Sequence, residues 1–359
     1  MSHIDRNHIH EVMQSLCQLH GPSGLEGPVR DQVERVWRQH GVEVRRDPVG
    51  NLLGRVGGSG PRVLLQAHMD QIGYMVRHIT DDGFVFLESA QGGTRDEPEQ
   101  RFMVGQRALV IGREGVVASG IFASPAGHAV TPPENHRKLD LYKFFLDLGV
   151  ESRVEAEAAG VHIGAAVIWE APTRLTGNRI TTPAVDDRVG LAAIELALER
   201  LDRARLGCEL WVAATVMEEN FLHGARALAA NERFDAVIAI DNTPAGDIPV
   251  LDPTALDTKL GAGPVVVFHD HLIAYSRGLA WALHDAAAAA AIPIQHGAFS
   301  NFTTDGVAFL DGGSPTVAIG PATRYTHTAY ETVDVRDVDA TANLLVAYAL
   351  SNGSRRDDG

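Results

Sequence analysis

The sequence predicts an α/β fold with a mixed sheet, interrupted by an inserted β-rich module. Three observations carry this expectation. Apolar, strand-like runs recur at 61–66 (PRVLLQ), 209–216 (ELWVAATV), 234–240 (FDAVIAI) and 314–319 (SPTVAI). Helical patterns accompany them: 188–201 repeats apolar residues at Val189, Ala192, Ala193 and Leu196, and 275–291 is a second such pattern, stopped by Pro293. Between residues 73 and 164 the texture changes to paired β patterns with frequent glycine and proline. The expected division is therefore 1–72 with 165–359 as one α/β domain, and 73–164 as the insertion.

In chain order, 8–20 and 26–40 read as helices, the second opening after the turn-rich GPSGLEGP. Residues 42–55 read as two short strands around 47–51, and GGSG at 57–60 as a flexible turn. Inside the insertion, 74–79 and 84–88 flank Asp81-Asp82-Gly83, and 108–111 and 116–119 flank Arg113-Glu114-Gly115; both are hairpin signals. A short helix near 152–159 carries a capping box, Ser152 with Glu155. The chain closes on a helix over 338–350 and a polar tail, 351–359, expected to be disordered.

At 359 residues, 45% hydrophobic and 21% charged, the chain has the makeup of a globular protein with room for two domains. Its net charge of -15 argues against nucleic acid and anionic membranes as partners, because both need basic surface. Cys17 falls in a helical apolar pattern and Cys208 starts a strand, so both read as buried thiols in a reducing compartment. The N-terminal MSHIDRNHIHEV lacks the apolar stretch of a secretory signal, and no run is long enough to span a bilayer; the expectation is a cytoplasmic protein.

Each apolar run ends in residues that can hold a metal. The first leads to His68 and Asp70, the second to Glu218 and Glu219, the third to Asp241, and the fourth, through a loop, to His327. Asp186 and Asp187 open the helical pattern after TTPAV. Ligands bind outside the carboxyl ends of strands in open α/β sheets, so these distant residues can converge. Two imidazoles with several carboxylates suit zinc, manganese or cobalt, and the set is too large for one tetrahedral ion.

Singly, each signal is weaker. His68 and Asp70, two apart on an extended segment, face the same side, so Asp70 can fix the imidazole from behind; an ordinary polar strand end competes with this. Glu218 and Glu219 point in different directions after a buried-looking strand, so one can ligate while the other stays free as a general base. Asp186 can bridge two ions with its two oxygens, although on local grounds a plain helix cap is favoured. Asp241, before a turn expected at Asn242-Thr243-Pro244, and His327 are singly typical of a turn acid and a surface histidine.

Together, AHMDQIGYMV, PAVDDRVG, MEENFLHGA, AIDNTPAGD, TDG and RYTHTAYE, in that order, with GPSGLE, DPVGNLLG and LGAGPVV, resemble the dinuclear-metal aminopeptidases that assemble as tetrahedral (TET) particles, family forty-two of the metallopeptidases. The resemblance covers nearly the whole chain. It implies an α/β metallopeptidase catalytic domain with an inserted dimerisation domain, and two divalent ions per subunit, zinc or cobalt with manganese as a further option. It also implies that His68 and His327 each hold one ion, that Asp186 bridges them, and that Glu219 joins one ion and Asp241 the other. Asp70 would orient His68, and Glu218 would be the general base. Peptides would be the substrates, cut at their N-termini, and dimers would build a larger homo-oligomer, a dodecamer in family members.

The chain also departs from the family pattern. Gln71 stands where the family commonly has Glu, Asn220-Phe221 replaces Val-Gly, and Asn301-Phe302-Thr303 replaces a glycine-rich loop before Thr304-Asp305. Phe221, Phe302 and Asp305 are therefore the expected substrate-pocket residues. A metal-dependent amidohydrolase acting on a blocked peptide or non-peptide amide stays open as an alternative. A glycosidase is disfavoured by the two histidines, and a non-catalytic metal-stabilised assembly by the free Glu218.

Overall fold

The computed structural model describes residues 4–91, 103–125, 128, 144–249, 251–252 and 254–351, so all but the first residue of the expected tail lies outside the described residues. Helices α1 (Arg6–Cys17) and α2 (Gly27–Gln39) lead into strands β1 (Glu43–Arg46), β2 (Leu52–Gly57) and β3 (Arg62–His68). Then come β4 (Tyr74–Ile79), β5 (Val85–Ser89), β6 (Arg107–Gly112), β7 (Gly115–Ala123), β8 (Phe145–Asp147), α3 (Arg153–Ala158) and β9 (Ala166–Trp169). The chain continues through β10 (Arg174–Thr176), β11 (Arg179–Thr182), α4 (Val185–Arg200), β12 (Glu209–Thr215), α5 (His223–Asn231), β13 (Ala236–Ile240) and β14 (Thr243–Pro244). It ends with β15 (Val265–His269), α6 (Arg277–Ala289), β16 (Gln295–Ala298), α7 (Gly306–Asp311), β17 (Thr316–Gly320), β18 (Ala322–Arg324), β19 (Glu331–Asp334) and α8 (Val335–Leu350).

The main sheet has eight strands in the order β1-β2-β12-β3-β13-β17-β15-β16. Strands β12, β3, β13 and β17 run parallel in its centre, while β2 and β15 flank them antiparallel, so the sheet is mixed as expected. The four central strands are the four apolar runs. They are covered on both faces, which is why they read as continuous hydrophobic stretches rather than as alternation. Val63, Leu65 and Ala67 of β3 join a cluster with α1, α2, α4, α6 and α8, while Leu64 joins a second cluster with α5 and α7. Cys17 and Cys208 are free and buried in the first cluster.

The inserted module is a closed barrel, β4-β5-β8-β7-β6-β9. Both hairpins form where Gly83 and Gly115 supply the positive φ that the turns need. Tyr74, Phe122 and Trp169 meet inside it, with ring centroids 5.6 to 6.3 Å apart. Ser152 caps α3 through the Glu155 N–H, while the Glu155 carboxylate reaches the Glu151 N–H.

The expected end of the insertion at residue 164 falls short, because the barrel closes through β9. That segment, AVIW, faces apolar surroundings on both sides. Val167 and Trp169 fill the barrel, while Ala166 and Ile168 pack with Ile111 outside it, and so the segment reads like a strand of the α/β sheet. A five-stranded sheet, β10-β11-β19-β18-β14, was not legible, since its strands are two to four residues long, too short for a period. Its β14 corrects the turn expected at Asn242-Thr243-Pro244: the chain stays extended and pairs Thr243 with Ala322.

Candidate metal centre

The carboxyl ends of β3, β12 and β13 bring His68, the Glu218–Glu219 turn and Asp241 together, and β18–β19 delivers His327 on a connecting loop. Asp186 lies between the two imidazoles: its Oδ1 is 3.0 Å from His68 Nε2 and its Oδ2 is 3.3 Å from His327 Nε2. His327 Nε2 is also 3.3 Å from Glu219 Oε1. Two groups of candidate ligands emerge, His68 with Asp186 and Glu219, and His68 with Asp187 and Asp241; within each, one ligand atom per residue lies within 4.8 Å of the others.

Local backbone explains how these carboxylates are presented. Asp186 and Asp187, joined by a cis peptide, have non-helical angles, and α4 proceeds regularly only from Arg188. Asp187 then acts as the cap: its Oδ1 accepts the Gly190 N–H at 2.9 Å, and its Oδ2 accepts the His68 N–H at 3.2 Å. A Cβ at residue 190 would stand 2.5 Å from that carboxylate, so glycine is required there. The helix-cap reading thus holds for Asp187, while Asp186 is left free to face the imidazoles.

Asp70 organises the other side. Its Oδ1 lies 3.3 Å from His68 Nδ1 and accepts the Glu218 N–H at 2.9 Å. Its Oδ2 accepts the Glu219 N–H at 3.2 Å and the Ser23 hydroxyl at 2.6 Å. Burial works against its charge, yet His68, Ser23 and the Glu218 N–H hold Asp70 below the usual carboxylate range.

The surroundings are strongly negative. Burial lifts Glu218 well above its usual value, with Asp305, Glu219 and Asp70 reinforcing and His68 opposing. Asp241 is raised by burial and then by Asp187 and Asp186. Asp186 moves the other way: burial is outweighed by its two imidazole contacts, and its carboxyl is held far below the ordinary value. Glu219 Oε1 is buried, with His327 Nε2 at 3.3 Å. Two imidazoles and a cluster of buried acids fit divalent cations, which would supply the missing positive charge.

Among the expected pocket residues, Asp305 needs correction. It is 1% exposed, and its Oδ2 accepts from Gln66 Nε2 at 2.7 Å and Thr215 Oγ1 at 2.5 Å. It therefore sits behind the strand ends, on the face that Gln66 shares with His68 by strand alternation, and does not line an open pocket. Phe302 is half-buried and packs edge-on against Phe299, with ring centroids 5.4 Å apart. Phe221 is 60% exposed, two residues past Glu219. Gln71 is buried and turns its amide oxygen to the Gly21 N–H and Arg188.

Two supporting residues carried no sequence signal of their own. Glu331 is buried, and its two oxygens accept the Asp186 N–H at 2.9 Å and the His327 N–H at 2.6 Å; burial pushes its carboxyl up to about 8. Glu26 accepts the Met217 N–H at 3.1 Å, pinning the residue before the glutamate pair. Both act by accepting backbone N–H groups, a role that leaves no spacing pattern; Glu26 was visible only as part of GPSGLE and Glu331 only as the end of RYTHTAYE.

The pattern of the family described as M42 glutamyl aminopeptidase matches residues 50–344. The lysyl aminopeptidase of Pyrococcus furiosus is 30% identical over 343 residues, covering 94% of this chain and 95% of its own. Aminopeptidase APDkam598 from the archaeon Desulfurococcus kamchatkensis superposes with a TM-score of 0.89 at 31% identity, over 96% of this chain and 95% of that one. The TET1 peptidase of Pyrococcus horikoshii, described as assembling into a tetrahedron or a large octahedral shell, superposes with a TM-score of 0.85 at 29% identity, over 96% of this chain and 99% of that one. This chain belongs to the M42 family of metallopeptidases and is a metal-dependent aminopeptidase.

Proposed function

We propose that this chain removes N-terminal residues from peptides at a dinuclear centre, with Glu218 as the general base. The observation that carries this is the Asp186 carboxylate spanning His68 and His327. His68 and Asp241 would hold one ion, His327 and Glu219 the other, and Asp186 both. Zinc, cobalt or manganese would suit the donors, and when bound would lower the pKa of a water and polarise the scissile carbonyl. Glu218 takes the proton of the attacking water and returns it to the leaving amine. Asp70 holds both the His68 ring and the backbone of the Glu218 turn, so it orients ligand and base together. A panel of aminoacyl, blocked and glycoside substrates tests the reading. Hydrolysis confined to free N-termini is expected, and cleavage of glycosides or blocked amides alone would overturn it.

Specificity is expected to favour apolar or uncharged N-terminal residues. Phe221 places an exposed ring beside Glu218–Glu219, and Gln71 is uncharged where an acid is common. Leucyl substrates should be cut faster than glutamyl ones. Phe221→Gly should shift the leucyl-to-glutamyl ratio of kcat/KM by about tenfold, the order of effect of a small apolar contact. Phe302→Gly should act more through packing, because that ring lies against Phe299. A wild-type preference for glutamyl substrates, or an unchanged ratio in the Phe221→Gly, Phe302→Gly double variant, would refute the pocket assignment.

The barrel is the expected assembly module. Met75, Val116 and Ile121 expose apolar side chains on its strands, a surface suited to self-association. We expect a homo-oligomer built from dimers, most plainly a dodecamer, as tested by light scattering; a stable monomer at micromolar concentration would contradict it. No described helix is long and apolar enough to cross a membrane.

A further inference from the structure

We propose that the inserted barrel, beyond any role in assembly, positions one half of the metal centre: it holds His327 and Glu219 in place, while His68 and Asp241 are placed by the main sheet. The inference rests on the ligand reading above.

His327 lies on the loop between Arg324 and Glu331, where Tyr325 and His327 both take positive φ, 62° and 61°. Non-glycine residues hold that conformation only where their surroundings impose it. One restraint is Glu331, at the base of the loop. The other comes from the barrel. Ala329, two residues past His327, is 3% exposed and belongs to the apolar cluster of Tyr74, Val76, Phe122 and Trp169 inside the barrel. The loop thus packs, by its own side chain, in the apolar cluster that the barrel residues form.

The glutamate turn has a parallel tie. Met217, Phe221 and Leu222 have positive φ, so the turn bearing Glu218 and Glu219 is bounded by residues in the left-handed region. Asn220, next to Glu219, donates from Nδ2 to the Ala90 carbonyl at 3.0 Å. Ala90 directly follows β5, and its own N–H is bonded to the Gly73 carbonyl at the root of the barrel. Both barrel contacts therefore fall within two residues of the His327–Glu219 pair. His68 and Asp241, by contrast, stand at the ends of β3 and β13, which pair in parallel with each other. Asp70 and Glu26 tie the glutamate turn to the main domain as well, so a shift of the barrel against the sheet would act first on the His327–Glu219 pair.

The test is zinc titration by calorimetry and elemental analysis on full-length Asn220→Ala, Ala329→Val and His327→Ala. His327→Ala should lose one ion and so identify the site that His327 serves. Asn220→Ala removes a single hydrogen bond, and Ala329→Val overfills the apolar cluster. Each should weaken that same ion by about tenfold or more, the scale for losing a group that orients a ligand, with the other ion bound as in wild type. If Ala329→Val does not fold, Asn220→Ala alone decides. Two ions at wild-type affinity in Asn220→Ala, or equal weakening of both ions, would overturn the barrel's role. Two ions at wild-type affinity in His327→Ala would instead overturn the ligand reading, and with it this inference.

Discussion

Chelation should abolish hydrolysis, and zinc, cobalt or manganese should restore it. Asp186, Asp241, Glu218 and Glu219 converge with two imidazoles in a buried space, where only a cation or a bound proton can offset their mutual repulsion. The direction of the shifts fixes the pH dependence. Glu218, Glu219 and Asp241 are raised above their usual values by burial and by one another, so in the cation-free protein they retain protons at a pH where ordinary carboxylates are ionised. Binding must expel those protons, so apparent metal affinity should fall as pH falls, and calorimetry in buffers of different ionisation enthalpy should register proton release. The thermal midpoint should also drop on chelation, since a ligand at about 100 times its Kd stabilises by about 2.7 kcal/mol. Full activity in a rigorously metal-free sample would sink the dinuclear mechanism.

Glu218→Gln should keep both ions and lose about 10²–10⁴-fold in kcat, the range for a positioned acid or base. Glu218 Oε2 comes no nearer than 4.0 Å to His68 Nε2, while Glu219 Oε1 is 3.3 Å from His327 Nε2. The turn itself is held by the Glu218 N–H to Asp70, which the substitution leaves intact. The base works only when ionised, so wild-type kcat/KM should decline on the acid side, and the glutamine variant should lack the limb that belongs to Glu218. Loss of metal from Glu218→Gln, accounting for the lost rate, would show that Glu218 and Glu219 exchange roles.

What the sequence determined alone was the frame. Buried parallel strands need long apolar runs, and the residues just past those runs must be polar, so β3, β12, β13 and β17 and the acids and imidazoles beyond them were visible as a pattern. Motif order then pointed to the family. The hairpins of the barrel were equally plain, because turns at Gly83 and Gly115 are local chemistry. Only the tertiary structure separates the positions of the two adjacent acids, both of which stay near His68. Asp186 lies between the imidazoles while Asp187 caps α4, a choice made by backbone angles that neighbouring sequence does not encode. It also placed Asp305 behind the strands instead of in a pocket, and it supplied Glu331 as the clip on Asp186 and His327. The strand AVIW went to the barrel because pairing partners, not composition, assign a strand that is buried on both faces. Periodicity reports how a residue faces its own element. Where two distant elements meet depends on the packing of the whole chain, and there the site was completed.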